Sequence, residues 1–114
     1  MYGAFGSWGW PKADEREAFE TEYADTYLPL VHAVPHVARV DLLQADDSGV
    51  ESDVYRIGIM WFQDESHYEK ASATPEWSAM FACCDSLLER YGITLRFAYV
   101  RDGAARPAEV PSRA

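Results

Sequence analysis

The amino-acid sequence predicts an α+β fold of the ferredoxin-like type, a four-stranded antiparallel sheet with both helices on one face. Three observations predict it. Strand-like alternation of side chains begins and ends the main part of the chain. Two more strand-like segments in the middle are separated by a short polar loop, and a helical pattern lies on either side of that hairpin. The element order is therefore β-α-β-β-α-β.

Length, composition and charge indicate one soluble globular domain. The chain has 114 residues, 48% hydrophobic and 25% charged, and we expect a single domain over residues 1–100 with a C-terminal tail over 101–114. Ten basic against nineteen acidic residues give a net charge of −9, which repels nucleic acid and anionic membranes. No apolar run approaches the ~20 residues of a membrane span, and no signal peptide is recognisable. We therefore expect a cytoplasmic protein with neither nucleic-acid nor membrane partners.

The first strand is predicted within residues 1–10, where aromatic and small side chains alternate. Gly3, Gly6 and Gly9 weaken the strand propensity of this segment. They form no phosphate-binding loop, because the chain has neither the G-x-G-x-x-G pattern nor a Walker lysine there. Two interpretations remain: another backbone approaches closely at these glycines, or they leave room for a ligand.

The first helix is predicted to begin at Asp14, a residue type that commonly caps helices. Pro29 is expected to kink or end the regular helix, because proline lacks a backbone donor, and Pro35 ends the segment. Aromatic residues recur every four positions on the apolar side of this helix. They are Phe19, Tyr23 and Tyr27.

Two strands joined by a hairpin loop are predicted in the middle of the chain. The strands cover residues 37–43 and 54–62, and the polar, acidic loop covers 44–53. The second of these strands is the most strongly patterned in the chain. Its odd positions carry one bulky set of side chains, namely Tyr55, Ile57, Ile59 and Trp61.

The second helical region has two separate starts. Asp64 is expected to cap a short helix over residues 65–72, and Thr74, followed by a proline, is expected to cap a longer one that stops at Gly92. An apolar stripe at i, i+3, i+4 spacing marks the longer helix. The last strand is predicted over residues 93–100.

Alternation assigns side chains to the two faces of the sheet. The set expected to face the helices is Val40, Leu42, Tyr55, Ile57, Ile59, Trp61, Ile93, Leu95, Phe97 and Tyr99. The set expected on the open face is Arg39, Asp41, Leu43, Arg56, Met60, Phe62, Arg96 and Val100. A monomer would expose Met60, Phe62 and Leu43, so we predict a homodimer that stacks the open faces, with the arginines paired to acids such as Asp41. A solvated sheet face is the alternative.

Part of the sequence resembles a known family. The run Phe19-Glu20-x-x-Tyr23-x-x-x-Tyr27-x-Pro29-Leu30, followed by Val34-Pro35-x-Val37, resembles the first helix of the EthD-like family, named for ethyl tert-butyl ether degradation. The strand over 55–62 with its following Asp64, and the segment 73–76, resemble the second half of that family. The resemblance spans about residues 1–100 and implies a dimeric α+β barrel.

The chain departs from the family pattern at two positions. Tyr27 stands where the family has a histidine, and His36 stands where it has the glycine of a Pro-Gly turn. A tyrosine is a poor base at neutral pH but a good hydrogen-bond donor. Proton transfer by the family's histidine is therefore not expected here unless His32 or His36 replaces it.

No metal and no cofactor are predicted. His32 and His36 have helical spacing, but Pro35 lies between them and no H-E-x-x-H pattern is present. Cys83 and Cys84 are adjacent on a helix and point about 100° apart, so they form neither a disulfide nor a zinc ligand pair. No signature for haem, flavin or nicotinamide is present.

The sequence predicts a pocket between the helices and the sheet. Its expected lining, to bind a small apolar or aromatic ligand, is Trp8, Tyr23, Tyr27, Tyr55, Trp61, Trp77, Phe81 and Tyr99. Plain core packing is the alternative for each aromatic residue. Tyr23 and Tyr27 would donate hydrogen bonds to a carbonyl or enolate oxygen, and His32 or His36 would move a proton.

Two functions from different classes follow. Proteins of the fold implied by the resemblance include cofactor-independent monooxygenases, polyketide cyclases and lactone isomerases. The first function is therefore a small dimeric enzyme acting without a cofactor on an aromatic, polyketide-like or lactone compound. The second is a non-catalytic binding or accessory protein of a degradation pathway.

Overall fold

The four strands form one antiparallel sheet in the order β2-β3-β1-β4. The computed structural model describes residues 1–46 and 52–102. The strands are β1 (Tyr2–Trp8), β2 (Arg39–Gln44), β3 (Arg56–Phe62) and β4 (Leu95–Arg101). The helices are α1 (Arg16–Glu22), α2 (Leu28–Ala33), α3 (Glu65–Ser72) and α4 (Pro75–Tyr91). The predicted ferredoxin-like α+β fold is confirmed.

The first helical segment runs without a gap from α1 to α2, but its hydrogen-bond pattern changes between them. A π-helical turn over Tyr23–Tyr27 separates α1 from α2, so Pro29 falls in the first turn of α2. Backbone N–H groups in the first turn of a helix make no hydrogen bond within that helix. Proline, which lacks this group, is therefore tolerated there. The prediction that Asp14 caps this helix is wrong: it lies inside a 3₁₀ turn over Ala13–Glu15, with no side-chain cap.

The caps predicted for the second helical region are confirmed. The carboxylate of Asp64 accepts a hydrogen bond from the backbone N–H of His67 at the start of α3. The hydroxyl of Thr74 does the same for Trp77 at the start of α4, and Gly92 ends α4 in the left-handed conformation. These signals fix α4 as the longest helix and set the position of its apolar stripe against the sheet.

The strand register corrects the predicted faces of β3. Trp8 is buried in the core and pairs with Arg56, while Ala4 pairs with Met60. The even positions of β3 therefore face the helices, and the prediction that Met60, Phe62 and Arg56 lie on the open face is wrong. The residues that lie there instead are Ile57, Ile59 and Trp61. Both faces of β3 carry bulky apolar side chains, so alternation could not distinguish them.

Tyr55 is buried beneath the helices as predicted, although it precedes β3 rather than belonging to it. The face assignments in β2 and β4 are confirmed by their register. The predicted loop 44–53 lies partly outside the described residues. So does the predicted tail, apart from Arg101, which ends β4, and Asp102, whose side chain pairs with the N-terminal amine of Met1.

Two clusters of buried side chains fill the space between helices and sheet. One holds Trp8, Phe19, Tyr23, Tyr55, Cys84, Leu87, Tyr91 and Ile93. The other holds Val31, Val34, Met60, Phe62, Ala71 and Met80. Both clusters draw on the sheet and on the helices, so the helical layer and the sheet share one interior. Over residues 1–46 and 52–102, every helix is too short or too polar to cross a membrane.

Candidate functional site

An apolar cleft lies between the helices and the sheet. It contains a cavity of about 50 Å³. Its lining is Ala4, Gly6, Trp8, Tyr23, Tyr27, Val31, Val40, Leu42, Gly58, Ile59, Met60, Trp77, Met80, Phe81, Cys84, Leu95, Phe97 and Tyr99. Grooves of about 360 and 270 Å³ lie elsewhere on the surface, but they are shallow and open to solvent. In the cleft, aromatic side chains surround a small apolar cavity.

The floor of the cleft is made by two glycines. Gly6 in β1 and Gly58 in β3 are direct partners in the two central strands. A Cβ atom built on Gly58 would find its nearest neighbour, the Leu42 side chain, at 3.7 Å, and one built on Gly6 would meet the Leu95 side chain at 3.2 Å. The centre of the sheet thus presents bare backbone to the helices where a packed core would place bulky side chains.

Three aromatic rings form the inner end of the cleft: Trp8, Tyr23 and Tyr27. The Trp8 ring lies edge-on to Tyr27, with centroids 5.2 Å apart, and to Tyr23 at 5.7 Å. The π-helical turn brings the two tyrosines together, with centroids 5.5 Å apart. A π-helical turn is wider than an α-helical one and is often found at functional sites.

Tyr23 and Tyr27 each bring a hydroxyl group to the inner end, and the Arg56 guanidinium lies over the Tyr23 ring. Burial, and to a smaller extent the neighbouring Cys84 thiol, raise the pKa of Tyr27 far above its ordinary value. Its oxygen is not sealed among the buried atoms, and no hydrogen bond to the described residues contributes to its pKa. The hydroxyl therefore stays neutral and keeps a proton to donate into the cleft.

The mouth of the cleft is formed by Trp77 and Phe81 of α4 and by Phe97 and Tyr99 of β4. Trp77 and Phe81 have centroids 5.1 Å apart, and Phe81 lies 5.4 Å from Phe97. Phe97 and Tyr99 point toward the helical layer but are 55% and 57% exposed. Large aromatic side chains left half uncovered beside a cavity are typical of a binding surface.

Two aromatic residues predicted to line the pocket lie elsewhere. Trp61 is on the open face, where its indole N–H donates to Asp41 at 2.9 Å. Tyr55 is packed behind the inner end, and its hydroxyl donates to the Glu20 carboxylate at 2.5 Å. Burial and this hydrogen bond raise the pKa of Tyr55 to about 12. The other predicted lining residues, Trp8, Tyr23, Tyr27, Trp77, Phe81 and Tyr99, do line the cleft.

A charged cluster closes the molecule behind Tyr23. The Arg56 guanidinium forms a two-pronged ion pair with Glu20, one bond being 2.9 Å long, and lies over the Tyr23 ring at 4.7 Å. Although burial raises the pKa of Glu20, hydrogen bonds from Arg56 and Tyr55 lower it by more, so the carboxyl group stays ionised. This cluster fixes α1 to β3.

The two histidines predicted to move a proton lie outside the cleft. His32 borders one of the shallow grooves on the surface. His36 lies near His67, with ring centroids 6.4 Å apart, and His67 is paired with Asp64 at 2.7 Å. Tyr27 and these histidines are therefore not brought together. In the part of the chain that the structure describes, no three potential metal ligands are grouped.

The sequence analysis missed the apolar aliphatic part of the lining and the glycine floor. Val31, Leu42, Met60 and Met80 are indistinguishable from ordinary core residues in a single sequence. Gly58 carried a usable signal, because a glycine in the middle of a strongly predicted strand indicates a bulge or a close approach of another group. Its pairing with Gly6 depends on the register, which the sequence did not supply.

No protein-family model matches the sequence, and no curated protein is significantly similar to it. Solved structures do match. An EthD family protein from Bacillus halodurans C-125 has 21% identity and a TM-score of 0.66, over 86% of this chain and 96% of that one. HapK from Hahella chejuensis has 12% identity and a TM-score of 0.64, over 93% and 96%.

SnoaB from Streptomyces nogalater, a cofactor-independent oxygenase, has 17% identity and a TM-score of 0.63, over 93% of this chain and 96% of that one. At these identities the likeness is one of fold. The chain therefore has the α+β fold of an EthD family protein, and its resemblance to the EthD-like family is confirmed at the level of the fold.

Proposed function

We propose that this protein binds a flat, mostly apolar organic molecule with one carbonyl or enolic oxygen in the aromatic cleft. The observation that carries the proposal is the floor made by Gly6 and Gly58, which keeps the centre of the sheet free of side chains beneath a ring of aromatic residues. Such a slot suits a planar ring system better than a branched or charged molecule. The acidic net charge of −9 also disfavours anions.

The Tyr27 hydroxyl supplies the polar contact in this proposal. As a neutral donor in an apolar surrounding, it would hydrogen-bond a ligand oxygen and stabilise negative charge that develops on it. That favours reactions through an enolate without a cofactor, such as cyclisation, isomerisation or oxygenation of aromatic, polyketide-like or lactone compounds. SnoaB, a fold neighbour, is a cofactor-independent oxygenase, which supports this class.

Binding without catalysis is the second candidate, and two observations favour it. The cavity of about 50 Å³ is far below the roughly 300–1,000 Å³ of sites that hold drug-sized molecules, so the cleft must widen for a ligand. His32 and His36 lie outside it, so it lacks the base that was expected. Phe97 at the mouth is 55% exposed, and its movement would provide a route to widening.

Matched probes test the ligand class. 1-Tetralone is a flat ketone, and tetralin is the same ring system without the oxygen. By isothermal titration calorimetry we expect the ketone to bind about 2- to 10-fold tighter than tetralin, the net value of one hydrogen bond. Tyr27→Phe should abolish the difference. Tyr91→Phe, the same change outside the cleft, should preserve it. Failure of both probes to bind at millimolar concentration would contradict the proposal.

The glycine floor gives a second test. Gly58→Ala places a methyl group in the cleft, where the nearest atom is 3.7 Å away, so the fold should tolerate it and binding of both probes should weaken at least about tenfold. Thermal unfolding followed by circular dichroism checks that the melting temperature does not fall. Unchanged binding in a folded Gly58→Ala protein would place the ligand outside the cleft.

Hydrogen–deuterium exchange separates the two candidate functions. An enzyme that stabilises an enolate should accelerate exchange at the carbon next to the carbonyl of 1-tetralone in D₂O, with buffer base taking the α-proton and D₂O returning a deuteron, as followed by proton NMR. Tyr27→Phe should slow that exchange by about 100-fold, a typical loss for one oxyanion donor. Binding without accelerated exchange would favour the non-catalytic candidate.

A homodimer through the open sheet face is part of the proposal. The corrected register puts Phe5, Ile57, Ile59 and Trp61 together on that face, beside Leu43, which is 54% exposed. No described element covers them, and an apolar sheet face of this kind is suited to stack on its own copy. Arg39 and Asp41, which form an ion pair of 3.2 Å, lie at its border.

Sedimentation equilibrium tests the dimer. We expect a dimer at micromolar concentration and a monomer for Ile59→Glu, because a buried unpaired carboxylate is costly. Glu89→Gln on α4, an exposed position on the opposite side, should leave the dimer intact. A wild-type monomer at micromolar concentration would exclude this part of the proposal. Free Cys83 and Cys84 thiols are consistent with the cytoplasmic location that we also propose.

A further inference from the structure

A pair of tyrosines links α3 to the mouth of the cleft. The Tyr68 hydroxyl donates a hydrogen bond to the Tyr99 hydroxyl oxygen, with the two oxygens 2.7 Å apart. The Tyr68 ring is held between Tyr2, at a centroid distance of 5.3 Å, and Trp77, at 5.6 Å. Tyr2 also stacks on Tyr99 at 5.8 Å. This packing fixes the direction of the Tyr68 hydroxyl.

The pair leaves one proton free at the mouth. Burial, and then the hydrogen bond to Tyr99, raise the pKa of Tyr68, which keeps it a neutral donor. In this bond the Tyr99 oxygen is the acceptor, and the Tyr99 hydroxyl donates to no partner among the described residues. Tyr99 lines the cavity while more than half of it is exposed. A ligand in the cleft is thus the natural acceptor.

The separation between the backbone positions beside Tyr27 and those beside Tyr99 can be estimated along two elements. In β1, Trp8 packs on Tyr27 and Ala4 pairs with Tyr99. The four residue steps from Ala4 to Trp8, of about 3.3 Å each, cover ~13 Å. In α4, Cys84 lies beside Tyr27, and Trp77 lies beside Tyr68, the partner of Tyr99. The seven residue steps from Trp77 to Cys84, of about 1.5 Å each, cover ~10 Å. Two hydrogen bonds of about 2.8 Å account for ~6 Å of this span.

We propose that Tyr99, positioned by Tyr68, is a second hydrogen-bond donor that selects ligands with an oxygen at each end of the ring system. The two ligand oxygens would lie roughly 4–7 Å apart, which includes the span of two fused rings between donors at either end of the cleft. This inference rests on the proposed binding in the cleft. It adds a requirement for length and for a second polar group, which Tyr27 alone does not impose.

The comparison of 1-tetralone with 6-hydroxy-1-tetralone tests it. The second ligand carries an additional oxygen at the far end of the same rings. In the wild-type protein we expect the hydroxyl group to strengthen binding about 2- to 10-fold. Tyr99→Phe should abolish this gain, so that the two ligands bind this variant with about equal affinity. Tyr68→Phe, which keeps the ring packing, should reduce the gain, because the Tyr99 hydroxyl loses the partner that orients it.

Control variants separate this inference from the proposed function. Tyr27→Phe should weaken the binding of both ligands by the same factor, so the ratio of their affinities should stay the same. A general loosening of the fold would not lower that ratio in Tyr99→Phe while leaving it unchanged in Tyr27→Phe. If 1-tetralone binds through Tyr27 but the added hydroxyl gives no gain, or the gain survives in Tyr99→Phe, only the second donor is refuted. If neither ligand binds the wild-type protein, the proposed function and this inference both fall.

Discussion

The two ends of the space between helices and sheet are built from the same kinds of residue but differ in how they are covered. At the closed end, Phe19, Tyr23 and Tyr55 are almost completely buried. At the mouth, Phe97 and Tyr99 have more than half of their surface in contact with solvent. Both groups are aromatic, and both lie between the helices and the sheet.

The helix that lies over each end decides how much of its aromatic side chains is exposed. At the closed end, α1 lies over the sheet and is fixed to β3 by the Glu20–Arg56 ion pair. At the mouth, the Phe81 ring of α4 contacts the Phe97 ring of β4, with centroids 5.4 Å apart, but Phe97 and Tyr99 stay more than half exposed. An aromatic residue is therefore core or binding surface according to the helix above it, not according to its own type. Substitutions at matched positions can test how far the two ends differ.

The largest expected effect contrasts Phe19→Ala with Phe97→Ala. Phe19 is fully buried, so its truncation leaves a cavity and should cost about 3–5 kcal/mol of unfolding free energy. Phe97 is 55% exposed, so its truncation should cost about 1 kcal/mol or less. Chemical denaturation measures both. Equal losses would mean that the mouth is packed as tightly as the closed end.

The ion pairs at the two ends provide the next contrast. Arg56→Met strands the Glu20 carboxylate, whose side chain is 31% exposed, and should cost about 2 kcal/mol, less than a fully buried pair. Arg101→Met at the mouth removes a pair with Glu65 in which both side chains are exposed, and should cause no measurable change.

The pH dependence follows from the same pair. The folded state lowers the pKa of Glu20 from its ordinary value of 4.5. Its stabilisation is therefore fully present above about pH 4.5 and is lost as the pH falls through the lower, folded-state value. The stability difference between wild type and Arg56→Met should shrink below about pH 4. A difference that stayed constant down to pH 2 would mean that Glu20 does not take part.

The element order and most helix boundaries could be predicted because their signals are local. Thr74, Pro75 and Gly92 define α4 through backbone chemistry within a few residues, and the structure confirms them. The faces of β3 could not be predicted, since Ile57, Ile59, Met60 and Phe62 are apolar on both sides and only pairing with β1 decides between them. A strand that is apolar on both faces indicates burial on both, which is itself consistent with a second copy.

The site was predictable to the extent that it depends on residue type. Six of the eight aromatic residues expected to line the pocket do so, because they lie on helix or strand positions whose direction was correctly inferred. The prediction that Trp61 lines the pocket was wrong because it depended on the predicted faces of β3. His32 and His36 also lie outside the cleft: His32, within α2, borders a groove on the surface, and His36, in the turn after α2, lies near His67.

The smallest expected effect contrasts the two left-handed residues, Gly92 behind the closed end and His36 near α3. Both have positive φ, at 62° and 68°, a conformation that costs a residue with a Cβ atom about 1 kcal/mol. Gly92→Ala should therefore destabilise the protein by about 1 kcal/mol. His36→Gly should stabilise it by about 0.5 kcal/mol, because relief of the strain exceeds the added entropy of the unfolded chain only slightly.

Thermal unfolding at several pH values measures both variants against His36→Asn. Asparagine tolerates the left-handed conformation better than most residues with a side chain, so this variant should fall between wild type and His36→Gly. A His36→Gly protein less stable than wild type would show that the imidazole makes a contact worth more than its strain. The ring of His67, 6.4 Å away between centroids, is the neighbour to test next. His67→Gln should then cost more than His36→Gly, since it removes the same contact between the two rings without relieving the strain at His36, and it also removes the pair with Asp64.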